Sequence, residues 1–139
     1  MPVVRFLVDA SVIARYADAA VAARLDGLAM EGLAVSCGVV ELELLNAVLD
    51  PATRARLVVL RATAFEVLDT STEDFRRAAD VQTMLVERGE LGVAWPALVV
   101  AAVAERHGAV VLHCDAHYEV IGKVTGQEVE MSSPASLGG

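Results

Sequence analysis

Three acidic residues, Asp9, Glu43 and Asp115, each stand in an apolar context at an element boundary or on a helix face. An unpaired carboxylate in such surroundings is costly, so each of them wants a partner. Brought together they would form a hard oxygen cage suited to Mg²⁺, with Mn²⁺ able to substitute. An ion of that kind lowers the pKa of a bound water and neutralises charge on a phosphodiester under attack. That chemistry needs no side-chain nucleophile. Ser11 has no neighbouring base and is read as a hydrogen-bonding support for a carboxylate. His113 and His117 flank Asp115 at helical spacing but without the further ligands a zinc site requires, and both are read as structural. Glu41 and Glu43 lie two apart on one helix and point about 200° from each other, so only one can face a cleft. Asn46, one turn beyond Glu43, shares its face. The plainer alternatives are that Asp9 caps the following helix and that Asp115 starts a turn.

The elements that would position these residues follow from apolar spacing. Val3 to Val8 reads as a strand ending on Asp9, and Ser11 to Tyr16 as helical. Ala19 to Met30 is a helix, Leu33 to Ser36 a strand, Glu41 to Leu49 a helix stopping before Pro51, and Ala52 to Ala62 another. Phe65 to Leu68 is a third strand. Thr70 with Glu73 reads as a capping box opening a helix that runs to Gly89 and buries Phe75, Ala78, Ala79, Leu85 and Val86. Pro96 suits the first turn of a helix that ends at Gly108, Val110 to Leu112 is a fourth strand, and Tyr118 to Ile121 a short helix. Val129 to Met131 is assigned to an edge strand. Strands alternating with helices predict a three-layer α/β/α fold around a mainly parallel sheet. The division expected is a single domain over 1–131 and a flexible tail over 132–139.

Composition narrows the function. A chain of 139 residues is one domain by length, with 55 % apolar and only 4 % aromatic residues. Its net charge of −8 excludes general electrostatic attraction to nucleic acid, so any RNA contact must be local, and no direct DNA binding is expected. Ten of the eleven basic residues are Arg, with groups at Arg54, Arg56 and Arg61 and at Arg76 and Arg77 that suit phosphate or, more simply, cover solvated helix faces. Cys37 and Cys114 lack metal or disulfide spacing, which fits a reduced, cytoplasmic setting. No signal peptide and no membrane span is read, the longest apolar run, Val93 to Ala104, being too short. Trp95 is assigned to packing in preference to base stacking.

The segment FLVDASVIARY resembles the opening of a PIN domain, and CGVVELELLNA resembles its second motif, where the Glu preceding a Leu pair selects Glu43. WPALVVAAVAERHGAVVLHCDAHYEVI is similar to the long C-terminal block of the VapC ribonuclease toxins of bacterial toxin–antitoxin pairs. That resemblance implies a PIN fold and an endoribonuclease acting on structured RNA such as a tRNA or rRNA loop. It implies a metal held by Asp9, Glu43 and Asp115, a homodimer, and a cognate VapB-type antitoxin that inserts a C-terminal segment, commonly with an Arg. One family acid is absent, since Ala97 stands where an Asp should follow the Pro. His117 and Glu119 also occupy places where the toxins often carry Asp, Glu119 being read as part of the site's support. The loss at Ala97 implies weakened metal binding and impaired catalysis, by engineered inactivation or by natural change. The alternative is a catalytically dead PIN domain that binds RNA or antitoxin. A receiver-like phosphate site is disfavoured because Lys123 is the only Lys.

Overall fold

Neighbouring residues of the short strands belong to different cores. Leu7, Val35 and Val111 join one apolar cluster, while Val8, Ala34 and Leu112 join a second. Side chains alternate across a strand, so two cores on alternate residues mean one sheet covered on both faces. The computed structural model describes residues 3–132 and shows this arrangement: β1 (Phe6–Val8), α1 (Ala10–Ile13), α2 (Ala19–Met30), β2 (Ala34–Cys37), α3 (Gly38–Asn46), α4 (Pro51–Ala64), β3 (Glu66–Leu68), α5 (Thr72–Glu87), α6 (Trp95–His107), β4 (Val110–His113), α7 (His117–Thr125) and β5 (Val129–Met131). The strands lie in the order β3-β2-β1-β4-β5, and all four pairings are parallel. This is a three-layer α/β/α fold.

α1 and α2 cover one face through Val12, Val21, Leu25 and Leu28. α5, α6 and α7 cover the other, with α6 buried without interruption from Ala97 to Ala104. A helix apolar all round belongs in the middle of a core. It stops at Gly108, whose φ of 67° is the left-handed conformation that glycine adopts freely.

Several boundaries differ from the sequence expectation. β1 begins at Phe6, leaving Val3 and Val4 exposed. The first helix is only Ala10–Ile13. α3 starts three residues before Glu41, because Cys37 begins it with no side-chain cap to mark the place. The capping box of α5 is Ser71 with Asp74, one residue later than expected, and the Thr70 hydroxyl is buried without a partner. The helix buries Ala78 and Leu85 as expected, together with Asp74 and Val81, while Phe75, Ala79 and Val86 face solvent. α7 runs to Thr125, four residues beyond the expected end. The expected tail lies outside the described residues from 133 onward.

Candidate active site

The sheet order reverses between β1 and β4, since the chain leaves β1 toward β2 and β3 and returns to β4 on the opposite side. Ligands of open parallel sheets bind beyond the carboxyl ends of the strands at such a switch point. Asp9 follows β1 directly and Asp115 follows β4 by two residues, so both acids stand at that crevice. Glu43 enters from α3, the helix after β2. Burial first, then the charges of Asp9 and Asp115, push the Glu43 carboxyl above its ordinary value. The three acids named from sequence therefore share one electrostatic neighbourhood. Glu41 turns the other way, into a bidentate pair with Arg61 at 2.9 and 2.7 Å and a bond from the Ser36 hydroxyl.

Asp9 is buried and held from two sides. Its Oδ2 accepts from the Ser11 amide at 3.0 Å and the Ser11 hydroxyl at 2.5 Å. Its Oδ1 accepts from the Tyr118 hydroxyl at 2.6 Å. The Ser11 hydroxyl in turn accepts from the Cys114 amide at 2.9 Å, so its proton is free to point at Asp9. Burial, then the charge of Asp9, keeps the Tyr118 phenol well above its ordinary pKa and hence a donor.

The Asp115 loop has its own fastening. Its amide donates to His113 Nδ1 at 3.2 Å and its Oδ1 accepts from the His117 amide at 2.9 Å. With a backbone N–H aimed at Nδ1, His113 carries its proton on Nε2, which reaches Glu119 Oε1 at 3.0 Å. Glu119, read from the sequence as part of the site's support, is the partner of this buried histidine. Among the described residues His117 Nδ1, which is buried, has no hydrogen-bond partner; it lies 3.6 Å from Asp115 Oδ1.

Beside Glu43 opens a cleft of about 470 Å³ lined by Val39, Leu42, Asn46, Val48, Leu49, Arg54, Trp95 and Pro96. Asn46 shares this wall with Glu43. Trp95 is 61 % exposed, which overturns the packing role expected for it. Of the Arg groups singled out in the sequence, Arg61 pairs with Glu41, Arg76 with Glu73 and Arg77 with Glu105, while Arg54 donates to the Leu45 carbonyl at 2.8 Å. Arg15, not singled out, donates to the Ser11 carbonyl at 3.2 Å. Tyr118 also escaped the sequence reading. Its one signal was a Tyr within an apolar helix pattern, where a buried hydroxyl must find a partner.

Carboxylate oxygens are the donors a hard divalent ion prefers, and burial together with the charges of Asp9 and Asp115 pushes the Glu43 carboxyl up. Among the described residues, no three acidic, His or Cys side chains gather closely enough to close a coordination shell by themselves. Ala97, 5 % exposed at the start of α6, supplies no oxygen to the set.

Residues 6–124 match the family model of the PIN domain. The chain is similar to Ribonuclease VapC51 of Mycobacterium tuberculosis, 34 % identical over 131 residues that cover 94 % of this chain and 95 % of that protein. This chain belongs to the VapC ribonuclease family of PIN-domain proteins. Ribonuclease VapC21 of the same species is 35 % identical over 127 residues, covering 91 % of this chain and 92 % of that one. Among solved structures, the DNA-bound VapBC of Salmonella typhimurium superposes with a TM-score of 0.76, covering 94 % of this chain and 100 % of that one. At 17 % identity that likeness speaks for the PIN fold alone. No helix among the described residues is long and apolar enough to cross a membrane.

Proposed function

We propose that this VapC protein is the toxin of a toxin–antitoxin pair, a divalent-metal-dependent endoribonuclease of structured RNA whose activity is impaired by Ala97. The observation that supports the reading is that Asp9 and Asp115 follow the two strands at the topological switch of a PIN sheet, with their charges acting on Glu43. Asp9, Glu43 and Asp115 would hold Mg²⁺ or Mn²⁺, with position 97 as the missing fourth carboxylate. When bound, the ion supplies positive charge at the phosphodiester and acidifies the water that hydrolyses it. The chain's own residues orient that site: Ser11 and Tyr118 hold Asp9, and the His113–Glu119 pair holds the Asp115 loop. Arg54 places local positive charge at the cleft beside Glu43, in a protein that is otherwise strongly acidic.

The apolar cleft beside Glu43 fits the C-terminal segment of a VapB-type antitoxin, with an antitoxin Arg meeting the acids. The exposed apolar run Val58–Leu60 on α4 is available to a homodimer contact. The second reading, a PIN domain that only binds RNA or antitoxin, draws on Ala97 itself. Manganese-dependent cleavage of total cellular RNA by this chain, by Ala97→Asp, and by Ala97→Asp with Asp9→Ala decides between them. Cleavage by Ala97→Asp alone supports the nuclease. Silence of all three, with antitoxin binding intact, supports the binding module.

A further inference from the structure

We infer that Tyr118 is a positioning residue of the acid site, restricting Asp9 to a single direction in which it can meet a cation. The inference rests on the divalent-ion reading above. A carboxylate offers about four lone-pair sites. On Asp9 the Ser11 amide and hydroxyl occupy Oδ2, and the Tyr118 hydroxyl occupies one site on Oδ1 at 2.6 Å. That leaves one site, on Oδ1, without a donor among the described residues. Asp9 can therefore contact an ion through one oxygen and cannot grip it with both.

A structural tyrosine would need only some acceptor for its hydroxyl, and Phe would fill the same space with no such demand. Tyr118, 1 % exposed, instead reaches 109 residues along the chain to the acid that ends β1. Its neighbours in the first turn of α7 do parallel work. The His117 amide holds Asp115 Oδ1, and Glu119 holds His113, whose Nδ1 takes the Asp115 amide. Three consecutive residues thus tie one helix to both strand-end acids, and α7 sets their mutual register.

The test is Mn²⁺ affinity, read from the electron paramagnetic resonance of free Mn²⁺, in the Ala97→Asp chain with and without Tyr118→Phe. Removing an outer partner of a metal ligand costs about tenfold to a hundredfold in affinity, and that loss is expected with the far-ultraviolet dichroism unchanged. Tyr16→Phe, which removes the other tyrosine's bond to Asp26 on the surface, should leave affinity as it was. Lower thermal stability of Tyr118→Phe with undiminished Mn²⁺ affinity would show a merely structural tyrosine and overturn the inference. If Ala97→Asp itself binds no Mn²⁺ at millimolar concentration, the divalent-ion reading fails first and takes this one with it. Should Tyr118→Phe not fold, 3-fluorotyrosine in a Tyr16→Phe, Ala97→Asp chain gives one fluorine resonance, at 118. It should move on saturation with Mg²⁺, and a resonance that stays still while Mg²⁺ binds would equally refute the role.

Discussion

α4 buries none of its residues, yet it forms a wall of the cleft through Arg54. What fastens it is chiefly Arg61, which donates twice to Glu41 at 2.9 and 2.7 Å and lies 4.8 Å over the Phe65 ring. The two side chains of the pair are only 13 % and 17 % exposed. Arg61→Met keeps most of the apolar stem and removes the guanidinium. Breaking a fully buried pair costs about 3–5 kcal/mol, and hydrogen bonds to charged groups are each worth about 1.5–3 kcal/mol. Water can reach Glu41 once the guanidinium has gone, so the lower part of that range applies, about 2–3 kcal/mol. Because α4 contributes nothing to either core, the cost should appear as local opening. A change of that size raises the open population of residues 51–64 about 30- to 150-fold, at about 1.4 kcal/mol per factor of ten. Hydrogen exchange read by mass spectrometry should show that loss of protection in 51–64 while 97–104 of α6 stays protected. Equal losses in both segments, or none in α4, would refute the idea that one ion pair holds this wall.

Ala97→Asp should destabilise the ion-free chain by about 1–3 kcal/mol, the cost of an unpaired charge at a buried position, and Mg²⁺ at 100 times its dissociation constant should return about 2.7 kcal/mol; thermal melts with Mg²⁺ and with chelator check this. Burial pushes the Asp74 carboxyl up, but the bonds from Arg106 and Ser71 outweigh it and hold the group below its usual value. Its stabilising contribution is therefore complete above the unfolded value near 3.8 and is lost as pH falls through the folded one. Asp74→Asn should cost about 1–3 kcal/mol at pH 7 and progressively less below pH 3.8, as urea titrations at both ends of that range would reveal. Leu85→Ala should cost about 2–5 kcal/mol, whereas Phe75→Ala, at a position 52 % exposed, should stay within about 0.5 kcal/mol, a contrast that urea melts would measure.

Much of the candidate site was legible because its acids break apolar runs. Asp9 ends a strand-like stretch and Asp115 follows another, and both positions survive errors of two or three residues in the element boundaries. Helical angle showed that Glu41 and Glu43 could not share a face, and the Leu pair that follows Glu43 selected it by resemblance, although the start of α3 was not readable, since Cys37 caps nothing with its side chain. α5 shows how local ambiguity propagates. Thr70 and Ser71, like Glu73 and Asp74, are adjacent equivalents, so the box was legible only to within one residue, and the apolar spacing left the edge of the buried stripe open. At that edge Val81 is buried and Phe75 is not. The role of Tyr118 and the partner of Glu119 lay beyond sequence reasoning for a different reason. Their partners, Asp9 and His113, are set by tertiary pairing of α7 against β1 and β4, which no local pattern encodes. Trp95 was assigned by the usual habits of a large aromatic, and the tip of α6 places it outside the core that the rest of that helix fills.

That placement has an optical consequence. Trp95 is the only tryptophan in the chain, so all indole emission from this protein arises at the rim of one cleft, between Glu43 and Arg54 on one side and Phe75 on the other. An exposed indole emits at long wavelength, and any guest that dries the rim should shift the whole signal to the blue. Events on the far face of the sheet, under α2, leave it dark. The molecule thus carries a reporter with a single address, at the place where its partners are expected to arrive.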